Sequence, residues 1–175
     1  MSEHAPLRAL AHPVRLRILS LLTGAELTAA EVARELDLTH ANASYHLRVL
    51  RDAGEIVVAG EEVIRGGRAV RYRHPWREVD RPDAASTGPA PDPASARLVV
   101  RAATEELHRR YALRRRGAPG IVTDAEVWVD PATWSEALSL LERAAALVHD
   151  GARPPRTDGA VPVNVSMFAF PLEEQ

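Results

Sequence analysis

The chain has 175 residues, enough for one medium domain or a small domain with an appendage, and a formal net charge of -2 at pH 7. It has no cysteine, which excludes disulfides, thiolate metal sites and cysteine nucleophiles. No apolar run approaches the roughly 18 residues of a membrane span and no secretory h-region is visible, so a soluble, cytoplasmic protein is expected.

From Pro6 to Leu22, apolar residues Leu7, Leu10, Val14, Ile18, Leu21 and Leu22 recur at helical spacing, and Pro13 resets a short first helix into a second. Thr28 followed by Glu31 has the capping-box pattern, and the helix it opens turns Val32, Ala33 and Leu36 inward. After Asp37-Leu38, a second cap, Thr39, begins "THANASYHLRVLRDAG", which closes at Gly54. At about 100° per residue, Ala43, Leu47 and Leu50 share a narrow apolar sector. Ala41, Ser44, Tyr45 and Arg48 lie opposite, with Asn42 and Asp52 at the edges. His46 falls on the flank and His40 at the N-terminal end.

The next stretch, "EIVVAGEEVIRGGRAVRYRH", reads as a β-hairpin over 56–74 whose glycine tip is flanked by Arg65 and Arg68. All 22 basic residues of the chain are arginine, and from Val63 to Arg77 there are Arg65, Arg68, Arg71, Arg73, Arg77 and His74 with no acid. A basic strip on a near-neutral protein is an electrostatic footprint for an anionic partner. The order helix, turn, polar-faced helix and basic hairpin is that of a winged helix-turn-helix domain over 1–76. In such a domain the N-terminal residues of the second helix meet base edges in the major groove. Asn42 suits adenine and Arg48 suits guanine or a phosphate. Tyr45 and Ser44 serve either role, and the Ala41 methyl suits thymine. The expected DNA-binding set is Thr39, His40, Asn42, Ser44, Tyr45, Arg48, Arg65, Arg68, Arg71 and Arg73.

The Pro/Ala-rich stretch 77–93 is expected to be a linker. A third region, 94–175, is expected to hold a helix over 95–116 followed by a strand-helix-strand unit: "AEVWVD", a helix from Pro131 to about His149 capped by Asp130, and "VPVNVSMFAF". Two strands alone are marginal, so this half either packs on helix 95–116 or is completed by a second subunit. Trp128, Trp134 and Phe168 mark an apolar core or dimer interface, or alternatively an effector pocket for a small molecule. Arg109, Arg110 and Arg114–Arg116 are read as a solvated face. The overall fold class is therefore α+β.

The segments "HPVRLRILSLL", "LTAAEVARELDLTHANASYHLRVLRDAGEI" and "RGGRAVRYRH" resemble the winged helix-turn-helix repressors of the ArsR class. The "ASYHLRVLRDAG" version and the long C-terminal extension are similar to its larger actinobacterial members. The resemblance covers about the first half of the chain and implies a homodimeric repressor that releases DNA on a signal. Its dimer contacts would come from the N-terminal helix and the helix after the wing. The arsenic site of that class needs cysteines where this sequence has Thr28 and Ala30. A second metal site of the class is only echoed by Glu106 and His108, whose further ligand positions hold arginine; both are read as surface residues, and no metal or cofactor is expected. His12 is read as ordering the junction of the first two helices. His46 is read as bracing the helix-turn-helix from inside or holding a phosphate. Ser44 and His46 lie about 200° apart around the helix and cannot form a nucleophile-base pair, so an enzyme is not expected. A winged-helix adaptor that binds a protein partner without reading DNA sequence is the alternative function.

Overall fold

The computed structural model describes residues 5–64, 67–76 and 93–173. Two N-terminal helices, α1 (Ala5–Leu10) and α2 (Pro13–Gly24), are divided at His12-Pro13. Proline fits the first turn of α2 because its missing N–H has no intrahelical partner there. His12 is the N-cap, its Nδ1 accepting from the Val14 N–H at 3.1 Å, so the expected role of His12 at this junction holds.

Strand β1 (Leu27–Thr28) is only two residues long and leads into α3 (Ala29–Leu36). Thr28 closes the expected capping box: its Oγ1 accepts from the Glu31 N–H at 3.3 Å, and the Glu31 carboxylate accepts from the Thr28 N–H at 2.8 Å. The α3 helix ends on Asp37, whose φ of 54° puts it in the left-handed region. That single residue turns the chain into α4 (His40–Asp52), capped by Thr39. Gly54, with φ 76°, then releases the chain toward the hairpin.

Strands β2 (Val57–Ile64) and β3 (Gly67–Arg73) form the expected antiparallel hairpin. A register shift between Val58 and Gly60 bends it. The sheet order is β1-β3-β2, with Leu27 opposite Tyr72 and Thr28 opposite Arg71. This three-stranded sheet with its helices is a winged helix-turn-helix architecture and makes the fold α+β. The core beneath it joins Ile18, Leu19 and Leu22 of α2, Val32, Ala33 and Leu36 of α3, Ala43, Leu47 and Leu50 of α4, and Ile56. The sectors expected of α3 and α4 are the buried ones.

The helix expected over 95–116 is α5 (Pro93–Ala112). It packs on α1 and α2, burying Ser95, Ala102 and Glu106. The last helix, α6 (Pro131–Asp150), starts as expected on Asp130, which accepts from the Ala132 and Thr133 N–H groups. The two strands expected on either side of α6 are not formed. Residues 121–130 and 161–170 are exposed and have no place in the sheet. Their valines and aromatics favour a pleated surface, but a strand exists only against a partner strand, and among the described residues none lies beside either segment.

Candidate nucleic-acid interface

Helix α4 is held by its buried side. Ala43, Leu47 and Leu50 are fully enclosed, so the opposite side is fixed in direction and faces solvent. His40, Ala41, Asn42, Tyr45 and Arg48 are exposed, and Ser44 is half-buried beside them. These residues occupy the first three turns, where Thr39 Oγ1 accepts from the Asn42 N–H at 3.2 Å and fixes the helix start. Arg48 makes no ion pair among the described residues. Tyr45 stands edge-on to His46, ring centroids 5.3 Å apart, with its side chain 55% exposed.

His46 lies inside, only 5% exposed, rather than on the flank. Its ring meets that of His12 at 4.8 Å between centroids, so the α2 cap and α4 are braced against each other. Burial first, then the charges of its neighbours, holds each ring's pKa below the ordinary histidine value: Arg15 acts on His12, His12 and Arg15 on His46, while Glu105 opposes the shift at His12. Both rings are therefore neutral at pH 7. Arg15 donates from Nη2 to the Arg8 carbonyl at 2.9 Å and from Nε to the Ala9 carbonyl, which caps the end of α1. The sequence reading missed Arg15, although a basic residue just past a helix end is the recognisable signal.

The hairpin arginines have different surroundings. Arg65 lies outside the described residues. Arg68 is near the tip, exposed, and paired with Glu61 at 2.9 Å. Arg71 sits at the hairpin base, where it meets Glu62 at 2.6 Å, Glu31 at 3.5 Å and the Glu26 carbonyl at 2.7 Å. It ties β1, β2 and α3 together. Burial works to raise the Glu31 pKa, but the Thr28 hydrogen bonds and Arg71 and Arg34 outweigh it and hold the carboxyl below the usual range. Arg73 is half-buried. Arg34, exposed on α3 opposite Val32 and Leu36, adds a cation on the helix that precedes α4. It was absent from the sequence-derived set.

Residues 10–57 match the family model described as a helix-turn-helix domain. The match spans α2 to α4 and supports reading this segment as a DNA-binding regulatory domain. No curated protein matches the chain. Among the described residues, no helix is long and apolar enough to cross a membrane.

The remaining sequence-derived sites resolve differently. Glu106 is not a surface residue: it is 3% exposed and held by Arg109 at 2.9 Å and Arg110 at 3.3 Å. Its carboxylate is committed to those arginines, which is incompatible with the faint metal pairing with His108. Arg109 and Arg110 are correspondingly not a plain solvated face. Arg110 also reaches Ser20 and Asn164. Trp128 is 87% exposed and Phe168 50%, while Trp134 is half-buried. Trp128 and Phe168 thus open to solvent.

Proposed function

We propose that the protein is a sequence-specific transcriptional regulator, a homodimeric repressor that reads an inverted repeat with the helix 40–52 and the wing 56–74. The observation that carries this reading is α4 itself: a helix locked by four buried residues, Ala43, His46, Leu47 and Leu50, presenting His40, Asn42, Tyr45 and Arg48 outward in its first turns, within a matched helix-turn-helix segment. In the major groove, Asn42 would bond an adenine edge, Arg48 a guanine or phosphate, and Tyr45 and Ser44 the adjacent bases or backbone. Thr39 sets the helix start and His40 leads it toward the backbone. Arg34 on α3 and Arg68 on the wing would meet phosphates, which position the protein without reading sequence. Arg65 is assigned the same role. The exposed Arg68–Glu61 pair is worth little by itself, so Arg68 can exchange its carboxylate for a phosphate. Arg71 braces the wing, and Arg73 flanks it. The repressor role and the dimer rest on the resemblance to the ArsR class, and the cytoplasmic setting on the absence of a membrane-length apolar run or secretory h-region in the sequence.

Selection from a pool of randomised duplexes at near-physiological salt tests the reading. The expected result is an enriched inverted repeat with half-sites about one helical turn apart. Retention without enrichment, or no retention, would overturn sequence-specific reading. Variants then separate the roles. Asn42→Ala and Tyr45→Ala should lower discrimination by about 1–3 kcal/mol per lost base contact. Arg68→Ala should weaken binding to all duplexes alike and flatten the salt dependence by about one phosphate's worth.

A further inference from the structure

The C-terminal arm, residues 113–173, has the makings of a folded layer without the layer. Helix α6 is twenty residues long and buries none of them. Trp134, Leu138, Leu141 and Val148 are only half-covered, and Leu140 and Leu147 are exposed. In proteins most of a helix's stability comes from packing one apolar face, and α6 has no such packed face among the described residues. The flanking segments are patterned for strands, yet residues 121–129 and 161–170 make no backbone hydrogen bond among the described residues. Val122, Trp128, Val163 and Phe170 point to solvent. Residues 160–170 carry no charge at all, and after Pro162 nothing in residues 163–170 deters pairing with another strand.

We propose that this arm docks on the same arm of a second copy of the chain, with segments 121–130 and 161–170 of both copies pairing in one shared sheet against which the two α6 helices pack. The inference rests on the homodimer reading and deepens it by adding an interface to the contacts that the resemblance gives to the N-terminal helix and the helix after the wing. Exposed apolar surface argues for a large partner: Ile121, Val122, Trp128, Val161, Val163 and Phe170 are each more than 60% exposed, and a contiguous apolar stretch of this kind marks a protein interface. Symmetry argues for a copy of itself. One arm offers two strands, too few for a stable layer, and two arms related by a two-fold axis offer four. Charge argues against nucleic acid as the occupant, because Asp124, Glu126, Asp130, Glu136, Glu142, Asp150 and Asp158 outnumber the arginines of 121–173.

The test combines sedimentation equilibrium of the full-length protein with amide hydrogen exchange. The expected result is a dimer at micromolar concentration in which amides of 121–130 and 161–170 exchange roughly a hundredfold or more slowly than in an unstructured peptide. Val165→Pro removes a ladder donor, and Trp128→Arg charges the shared face. Each should shift the protein to monomer at least tenfold more readily, with the helical circular dichroism retained. A monomeric wild type, a monomer with both segments protected, a dimer with both segments in fast exchange, or a dimer indifferent to both variants would each overturn the proposal. A dimer in fast exchange that still enriches an inverted repeat would sink this interface and leave the DNA reading standing. A protected dimer that enriches nothing would do the reverse.

Discussion

His46 shows how one side chain links the reading helix to its support. Its Nδ1 is buried with no hydrogen-bond partner among the described residues, and its ring sits against His12 at the cap of α2. Both pKa values are depressed in the fold by burial and by neighbouring charge. Above the unfolded value of 6.5 both states are neutral and the full stability is present. As the pH falls below that value, the unfolded chain takes up protons first, and stability is lost progressively through the lower folded pKa. Urea midpoints should therefore fall between pH 8 and pH 5. His46→Leu should make that fall shallower, and an unchanged slope would remove the pair from the acid response. The buried positions Ala43, Leu47 and Leu50 were legible because helical periodicity records burial of apolar residues. His46 was not legible as buried, because its cover comes from a ring on another helix, which periodicity within α4 does not register.

Local chemistry that closes within a few residues was readable at the level of elements, and pairing across the chain was not. The capping box at Thr28 and the caps at Thr39 and Asp130 are short-range bonds, and each lies where the residue pattern put it. Strand β1 escaped notice because two residues carry no alternation; Leu27 and Thr28 are a strand only because Tyr72 and Arg71 lie opposite. The reverse holds for 121–130 and 161–170, where the local preference is plain and the partner is missing. Thr28 connects the two kinds of evidence, being both the cap of α3 and part of the sheet. Thr28→Ala should lower unfolding free energy by about 1–2 kcal/mol, measured by urea titration. Glu31→Gln retains an acceptor for the Thr28 N–H and loses the part-exposed attraction to Arg71 at 3.5 Å and to Arg34, so its cost should stay below about 1 kcal/mol. Equal costs for the two substitutions would place the energy in the ion pair instead of the cap.

Across the whole molecule, the arm is laid back along the domain that carries the reading helix, and its fastenings are few. Arg156 donates to Glu35 of α3 at 2.6 Å, Arg110 of α5 bridges Ser20 of α2 and Asn164 of the arm, and Trp76 meets His149 with ring centroids 4.9 Å apart. The arm also comes close at Gly24, the last residue of α2, where an added Cβ would stand 2.7 Å from the Arg153 carbonyl oxygen. That neighbour is backbone, and it cannot rotate away as a side-chain tip would. Gly24→Ala should therefore lift the arm from the domain while leaving the core of α2, α3 and α4 intact. Alanine also favours the helix by up to about 1 kcal/mol over glycine, so the domain itself has no reason to unfold. The Arg156–Thr157 bond, freed from its hold on Glu35, should then be cut by trypsin several-fold faster, with the helical circular dichroism unchanged. If cleavage there keeps its original rate, the arm is held by the remaining contacts and Gly24 is merely a tolerant helix end. If cleavage quickens and duplex affinity falls with it, the arm's seat on α2 and α3 contributes to the posture in which α4 meets DNA.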